Sequence, residues 1–430
     1  MPAFLPAAVL AVPSSWMVLP FLLLLLLIAG APLIAPHFWE RFYAQTAIGL
    51  GLVTAAYYII ALRNIETLVH SAREYFSFLS LIASLYVVSG GILLRVKGEA
   101  TPFMNCLYLL AGAILANILG TTGASMLLIR PWIRMNKRRI TGFHIVFFIF
   151  LISNIGGGLT PIGDPPLFLG FLKGVPFWWV LQHCWQAWLF TTLLLLSVFW
   201  VLDRRNFLRA PATVHRHETH DKHWQVDGFI NFPLLGIVLV AVLAPFGWRE
   251  ALMLSAAAIS WAATPKRVHQ TNHFELEPVK EVAWLFAGIF LTMLPALALL
   301  ESKAGALGLS TSIQFFWCTG ALSGVLDNAP TYLAFLTAAF GLSGLNLNTD
   351  MPVFLQKEAQ LLTSISLGAV FFGAMTYIGN GPNLMVKKIA EQQRVHMPSF
   401  LTYVFRYSLP VLLPIFSLVG LLFFSRWRVL

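Results

Sequence analysis

Two aspartates lie inside long apolar stretches of the 430-residue chain, each in a motif that interrupts a helix. Asp164 belongs to the string TPIGDPP (160–166), and Asp327 belongs to LDNAP (326–330). None of the other acidic residues lies as deep in an apolar segment of the sequence. Holding a carboxylate at membrane depth costs about 3 kcal/mol on insertion scales, so such a residue marks a functional site.

The chemistry of such a site follows from its surroundings. A carboxylate removed from water binds a proton more readily, whereas a nearby cation favours the ionised form. A buried aspartate can therefore hold either a proton or a cation, and the two compete. Glycine and proline beside it open the helix and free backbone carbonyls, which membrane proteins tolerate where the backbone lines a cavity. Because carboxylate, hydroxyl and carbonyl oxygens suit hard cations such as sodium, the motifs predict a site where sodium and protons exchange.

The composition places the chain in a membrane. Hydrophobic residues make up 58% of it and charged residues only 11%, whereas soluble proteins average about 25% charged. Apolar segments long enough to span a bilayer recur from end to end. The net charge of +10 favours basic cytoplasmic loops over nucleic-acid binding. We therefore expect a multi-pass protein of the cell membrane, specifically a bacterial inner membrane, with the lipid bilayer as its partner.

The predicted fold is an all-α polytopic membrane protein that contains an inverted repeat. Each half has about five spans and one re-entrant hairpin, which gives about ten spans and two hairpins in total. The first half covers 1–202, a cytoplasmic linker covers 203–228, and the second half covers 229–430. The predicted hairpins lie at about 104–129 and 310–341, and the predicted broken spans lie at about 142–172 and 360–386.

The basic residues support re-entrant hairpins over fully crossing ones. If both hairpins return to the side from which they enter, most Lys and Arg residues fall in loops on one side, as the positive-inside rule requires. Both chain termini are then outside. If the hairpins crossed the membrane instead, the basic loops at 203–227 and 264–281 would move to the outside.

An odd number of spans in the first half inverts the second half relative to it. Short matches agree, since ILGTTG (118–123) aligns with VLDNAP (325–330), and TPIGDPP (160–166) aligns with TYIGNGP (376–382). Interrupted helices in equivalent places of inverted repeats are typical of the midplane site of a secondary transporter. The candidate ion-binding residues on these segments are Thr121, Thr122, Ser153, Asn154, Thr160, Gly163, Asp164, Asp327, Asn328, Thr376, Asn380 and Asn383. Asn117, Ser125 and Thr331 fit ion binding and helix packing equally well.

At these motifs the chain resembles the ion-transporter superfamily and is most similar to its NhaD-type sodium/proton antiporters. The resemblance rests on SNIGGGLTPIGD (153–164), DNAPTY (327–332), TYIGNGPN (376–383) and LYVVSGG (85–91). It implies an elevator-type homodimer that needs no cofactor beyond the sodium and protons it carries. It also implies that the ion site is lined by Asn154, Thr160, Asp164, Asp327, Asn328, Thr376 and Asn380. The chain departs from better-known members in having GTTG (120–123), without acidic residues, in the first hairpin.

Two other functions stay open. Members of the superfamily also carry citrate, dicarboxylates or arsenite, so a sodium-coupled anion transporter is an alternative. Two carboxylates at the pocket, with no Lys or Arg near the hairpin tips, disfavour a polyanion. An intramembrane aspartyl protease also uses two buried aspartates, but its Gly-x-Gly-Asp motif requires glycine where this chain has Pro161. We therefore expect a transporter without catalytic residues.

The remaining ionisable groups are expected to be solvated or structural. Three glutamates near predicted loop ends are expected to face solvent, namely Glu250, Glu301 and Glu358. The central linker contains a histidine cluster that fits a solvated linker better than a transition-metal or pH-sensing site. That cluster consists of His215, His217, His220 and His223. His144, at the start of a predicted span, is expected to pack or to lie at the interface.

Overall fold

The computed structural model describes residues 13–97, 101–209, 223–272 and 274–425. Helices account for 79% of it. Within the described residues, six helices are long and apolar enough to cross a membrane, or seven if one bent pair counts as a single span. The prediction of a polytopic helical membrane protein is therefore confirmed, whereas the count of ten spans and the inverted repeat stay predictions.

The helices before the central polar segment begin at positions that favour helix starts. Prolines stand in the first turns of α2, α4 and α6, where their missing N–H is not needed. Asn64 caps α3 by accepting a hydrogen bond from the Thr67 N–H at 3.1 Å. These helices are α1 (Leu19–Ile34), α2 (Pro36–Ile60), α3 (Ile65–Gly90), α4 (Pro102–Met135), α5 (Gly142–Leu151), α6 (Pro165–Leu172) and α7 (Trp179–Arg209).

The second part of the chain combines short helices with long ones. They are α8 (Asn231–Ala241), α9 (Trp248–Ala263), α10 (Lys266–Thr271), α11 (Glu277–Lys303), α12 (Ser312–Ser323), α13 (Asn328–Leu342), α14 (Met351–Lys357), α15 (Ala359–Phe372), α16 (Gly381–Gln392) and α17 (Phe400–Phe424). The axis bends by 97° between α14 and α15. In α17, two π-helical segments, Val404–Leu412 and Gly420–Phe424, interrupt the α-helix.

Two groups of helices pack together. In one group, α11 packs along α2 and α9 packs along α3. The approach of α11 to α2 is close because Gly288 stands against the Ala47 carbonyl, where a β-carbon would collide. Small residues allow membrane helices to approach in this way. In the other group, α12 packs along α15, and α13 also packs against α15. Helix α13 contacts α11 as well, so it joins the two groups.

The all-α prediction missed a small sheet. Strand β1 (Leu93–Lys97) pairs antiparallel with β2 (His223–Asp227), in a register that joins Leu93 to Asp227. The strands are only five residues each, so neither shows a clear alternating pattern by itself. Their backbone groups are satisfied by pairing across a long separation in sequence, which composition does not reveal.

The predicted linker at 203–228 is partly ordered. Helix α7 continues to Arg209, so the first residues of the linker are helical, and β2 occupies the last ones. His215, His217 and His220 lie outside the described residues, as does the side chain of His223.

Glu250 corrects the expectation that it faces solvent. Its side chain is 2% exposed. The carboxylate accepts hydrogen bonds from the Gly247 N–H at 2.6 Å, from the Arg249 Nε–H at 3.0 Å and from the Ser77 hydroxyl. The sequence placed this acid beside a loop, but the packing of α9 on α3 covers it. The other two glutamates, Glu301 and Glu358, are half-buried.

Candidate ion-binding site

The first predicted hairpin is helix α4, which folds back on itself at Gly120. This residue has φ 72° and ψ 156°, a conformation open to glycine because it lacks a β-carbon. The Tyr108 hydroxyl donates to the Leu128 carbonyl at 2.8 Å. Near the two ends of the helix, the side chains of Asn105 and Asn136 bond to each other. Residues so far apart along one straight helix could not touch, so the two arms of α4 run antiparallel.

The second predicted hairpin is formed by α12 and α13, with a break at 324–327. The rings of Phe315 and Phe335 lie 6.2 Å apart across its two arms. Asp327 is the N-cap of α13, and its Oδ1 accepts a hydrogen bond from the Ala329 N–H at 3.0 Å. The Thr331 hydroxyl donates to the Asp327 carbonyl at 2.9 Å. The backbone therefore turns at the LDNAP motif and restarts as a helix.

Two unwound loops separate the half-helices of the predicted broken spans. The first joins α5 to α6, and the second joins α15 to α16. In the first loop the Thr160 hydroxyl accepts a hydrogen bond from the Gly163 N–H at 3.1 Å. In the second the Thr376 hydroxyl accepts one from the Gly379 N–H at 3.0 Å. The predicted inverted repeat would produce such a local match between the halves.

The same loops bring backbone against backbone. A β-carbon on Gly163 would collide with the Gly157 carbonyl, and one on Gly379 would lie 2.8 Å from the Gly373 carbonyl. Glycine is therefore required for these crossings. Each loop ends at a polar helix-starting residue, which is Asp164 for α6 and Asn380 for α16.

Asp164 lies at the centre of the site. Its side chain is 1% exposed. Oδ1 accepts hydrogen bonds from the Thr121 hydroxyl at 2.8 Å and from Asn380 Nδ2 at 3.0 Å. Oδ2 accepts one from Asn328 Nδ2 at 2.6 Å. These donors come from hairpin α4, from the start of α16 and from the start of α13, so four chain segments meet at one carboxylate.

All three side chains that donate to this carboxylate are neutral. Thr121 and Asn328 occupy aligned positions of the two hairpin motifs, and Asp164 and Asn380 occupy aligned positions of the two loop motifs. Within the part of the chain that the structure describes, the negative charge of ionised Asp164 is therefore stabilised by hydrogen bonds without a salt bridge. A buried carboxylate held in this way favours the binding of a cation or a proton.

Two amide oxygens on the segments that meet at Asp164 have no hydrogen-bond partner among the described residues. They are Oδ1 of Asn154 and Oδ1 of Asn328, and both residues are fully buried. A β-carbon on Gly373 would lie 2.9 Å from Asn154 Oδ1 and 3.4 Å from Asn328 Nδ2, so the two amides face the same point. Buried polar atoms are almost always satisfied. Unpartnered oxygens next to a carboxylate are suited to coordinating a hard cation.

The orientation of Asn154 is fixed by its amino group. Nδ2 donates to the Ile149 carbonyl and to Asn383 Oδ1, each at 2.8 Å. Asn383 in turn donates to the Gly373 and Thr376 carbonyls at 2.8 and 2.9 Å. Asn383 therefore tethers the two broken helices, and with Nδ2 held in this way Asn154 Oδ1 lies next to Gly373.

The other predicted residues lie around this centre. Ser153 contributes its carbonyl, which accepts from Asn380 Nδ2 at 3.1 Å, while its hydroxyl lies 2.8 Å from that of Ser125. Asn117 links hairpin α4 to the first loop, because it donates to the Gly156 carbonyl at 2.7 Å and accepts from the Leu159 N–H at 2.9 Å.

Asp327 is placed differently from Asp164. It is partly exposed, whereas its neighbour Asn328 is fully buried. Its carboxylate caps α13, and the side chain that reaches Asp164 is that of Asn328. The sequence predicted Asp164 as the main exchangeable carboxylate and Asp327 as its partner. In the structure the four segments meet at the Asp164 carboxylate, whereas the Asp327 carboxylate caps α13.

A cavity of about 30 Å³ reaches Asp164 between hairpin α4 and α3. Its walls include Thr121 and Thr122 on the hairpin and Phe78, Leu85 and Tyr86 on α3. A space of this size holds a few water molecules or a small ion. Thr122 is half-buried and contributes to the wall of the cavity.

The sequence analysis missed a second buried acid, Asp203, near the end of α7. Asp203 is fully buried. Its carboxylate pairs with the Arg139 guanidinium, and its Oδ1 lies 3.0 Å from His144 Nε2. Asn105 Nδ2 donates to Oδ2 at 2.8 Å. Asp203 lies four residues after Phe199, a spacing that puts both side chains on the same buried face of α7. This spacing was the available signal, but the basic residues that follow favoured a solvated stretch.

Comparison with known proteins identifies the family. A family model described as "Putative citrate transport" matches residues 11–424. Two uncharacterized transporters, from Mycobacterium bovis and Mycobacterium tuberculosis, are each 25% identical over 328 residues, covering 69% of this chain and 71% of the relative. A 46 kDa membrane protein of Mycobacterium leprae is 23% identical over 313 residues, with the same coverage. The chain therefore belongs to this family of membrane transporters.

Proposed function

We propose that this transporter exchanges sodium, or another monovalent cation, for protons at Asp164. The main support is a fully buried carboxylate whose three hydrogen-bond donors are all neutral, together with the unpartnered amide oxygens of Asn154 and Asn328. Such an arrangement leaves the charge of Asp164 to be balanced by a mobile ion. The cation coordinates the carboxylate together with the Asn154 and Asn328 oxygens, and a proton on the carboxylate takes its place.

Asn328 fits both states of the exchange. With ionised Asp164 its Nδ2 donates to the carboxylate at 2.6 Å. When Asp164 is protonated, the acid needs an acceptor, and rotation of the amide presents Oδ1 to it. A residue with donor and acceptor on one side chain can therefore satisfy the carboxylate before and after proton binding.

We propose that the bound ion moves between the two sides of the membrane by an elevator mechanism in a homodimer. The helices that form the site, α4 to α7 and α12 to α16, move against the packed group that includes α2, α3, α9 and α11. Asp327, next to Asn328 and partly exposed, is the proposed partner of Asp164 along the entry path. Both chain termini are proposed to lie outside the cell.

Reconstituted protein tests the exchange. In proteoliposomes with an imposed proton gradient, adding sodium should collapse the gradient, and a panel of lithium and potassium defines the cation. Asp164→Asn should abolish the response, while Glu277→Gln, an exposed acid at the start of α11, should leave it intact. Lower pH should raise the sodium concentration for half-maximal exchange because protons and sodium compete. An unchanged response in Asp164→Asn would reject the proposal.

Sodium-coupled transport of citrate or a dicarboxylate is the second candidate, and the family description favours it. The cavity at Asp164, about 30 Å³, is far smaller than the few hundred Å³ typical of organic-ligand pockets. This conformation therefore suits a bare ion better than citrate. Sodium-dependent uptake of labelled citrate by the same proteoliposomes, without sodium-driven proton release, would establish the anion transporter instead.

A further inference from the structure

Arg130 is a buried cation that the exchange at Asp164 does not use. It lies on the second arm of hairpin α4 and is 7% exposed. Its Nε and Nη1 have no hydrogen-bond partner among the residues that the structure describes. Arginine stays protonated, and its guanidinium presents five N–H donors in a fixed plane. A buried charge without partners is strongly unfavourable unless a counter-ion compensates it.

Among the described residues, the groups around Arg130 do not supply that counter-ion. Tyr86, Arg134 and Glu275 are close enough to interact with it electrostatically. The Tyr86 hydroxyl donates its proton to the Glu275 backbone carbonyl at 2.8 Å. Glu275 itself is exposed, so water screens its carboxylate. Arg134 stands one helical turn from Arg130, and like charges at this spacing repel each other.

The position of Arg130 connects it to the transport core. Arg130 lies in the part of hairpin α4 that follows Gly120, and α4 packs against α3. Tyr86, on α3, lies close to Arg130 and also lines the cavity that reaches Asp164. Arg130 therefore lies where hairpin α4 meets α3, a helix of the packed group.

We propose that Arg130 binds an oxyanion, a phosphate or carboxylate group, between hairpin α4 and α3, with Arg134 at the exposed edge. The planar guanidinium pairs with two oxygens of such a group at once. The ligand comes either from a soluble anion or from the head group of an anionic lipid, since basic sites between membrane helices bind such head groups. This site goes beyond cation exchange, because it does not require Asp164.

Thermal unfolding of the purified full-length protein tests the proposal, with tryptophan fluorescence as the signal. The protein is placed in neutral-lipid nanodiscs with potassium chloride, phosphate or citrate at equal ionic strength, and in phosphatidylglycerol nanodiscs with chloride alone. We expect at least one oxyanion to raise the unfolding temperature by about 3 °C over chloride in neutral lipid, as binding to the native state requires. A shift in phosphatidylglycerol alone assigns a lipid head group, and a shift with phosphate or citrate assigns a soluble anion.

Variants assign the effect to the guanidinium. Arg130→Gln should lose the shift, Arg130→Lys should keep less than half of it, and Arg134→Gln should keep most of it. In chloride and neutral lipid, Arg130→Gln should unfold no earlier than the wild type, because an uncompensated charge has been removed. The lysine variant provides the test if the glutamine variant does not fold. Asp164→Asn should retain the shift, which separates this proposal from the proposed exchange.

Two results would overturn the proposal. One is the absence of any oxyanion-dependent shift in the wild type across phosphate, citrate and phosphatidylglycerol. The other is a full shift in both Arg130 variants, which would place the anion elsewhere.

Discussion

Asp164 and Asp203 are both buried aspartates, but their partners differ in charge. Asp164 accepts from a threonine hydroxyl and two asparagine amides. Asp203 pairs with Arg139 and lies 3.0 Å from His144 Nε2. The nearby His144 Nδ1 lies 3.1 Å from the Thr141 N–H and accepts from it, so Nε2 carries the proton and donates to Asp203. Asp203 therefore has a cationic partner, whereas no described residue places a positive charge on Asp164.

In the proposed mechanism, the charge of the partner distinguishes a structural carboxylate, Asp203, from a transport carboxylate, Asp164. A carboxylate with a permanent cationic partner has little need for an exchangeable ion, and breaking the pair is costly. Asp203 also joins Asn105 and Asn136 of hairpin α4 to α7, so its network holds that hairpin in place. A carboxylate with neutral donors keeps an uncompensated charge that a mobile ion can balance. Burial alone therefore does not identify a transport residue.

The largest expected effect is the loss of exchange in Asp164→Asn. Asparagine keeps the shape of the side chain but has neither the negative charge nor the exchangeable proton. Sodium-induced collapse of the proton gradient should fall to the level of empty liposomes, while the unfolding temperature stays within a few degrees of the wild type. Residual exchange at half the wild-type rate would show that another group exchanges the ion.

The opposite pattern is expected for Asp203→Asn. This change removes the carboxylate opposite buried Arg139, a loss that costs about 3–5 kcal/mol for a buried pair. The variant should unfold at a clearly lower temperature, whereas the protein that folds should keep the wild-type sodium affinity. Adding Arg139→Gln should recover part of the stability, since the uncompensated cation is removed. A stable variant that had lost exchange would move Asp203 into the transport machinery.

A smaller effect is expected when one amide donor to Asp164 is removed. Hydrogen bonds to charged groups are worth about 1.5–3 kcal/mol, so Asn328→Ala or Asn380→Ala should weaken apparent sodium affinity by about tenfold or more. Asn328→Ala should cost more, because it also removes an unpartnered oxygen beside the carboxylate. Sodium titrations of the exchange rate measure both. Equal losses in the two variants would argue against that oxygen as a ligand.

The smallest expected effect on sodium affinity distinguishes the roles of two neighbouring threonines, Thr121 and Thr122. Thr121→Val removes the hydroxyl that donates to Asp164 at 2.8 Å and should weaken sodium affinity by about tenfold, the low end of the effect of a hydrogen bond to a charged group. Thr122→Val is the matched control, since Thr122 lines the cavity and is not among the three donors to Asp164. It should change the affinity less than twofold in the same titration. A larger effect of Thr122→Val would shift the ion towards the cavity wall.

Much of the local structure could be predicted from the sequence. Glycine, proline and polar residues within apolar segments located the backbone breaks near Gly120, Asp164, Asp327 and Asn380, because these residues interrupt a helix whatever surrounds them. The short strands β1 and β2 could not be predicted, since each depends on a partner more than a hundred residues away. The burial of Glu250 likewise depends on α3, a distant segment that supplies Ser77.

The sequence by itself determined where the helices break and which polar residues lie in apolar surroundings, because helix propensity and hydropathy are local properties. Only the tertiary structure decided that Asp164 receives neutral donors from three other segments and that Asp203 has a permanent cationic partner. Those outcomes depend on contacts between residues 43 to 216 positions apart, which no local pattern specifies. The charge of the partner, set by packing, distinguishes the proposed exchange site from the structural network.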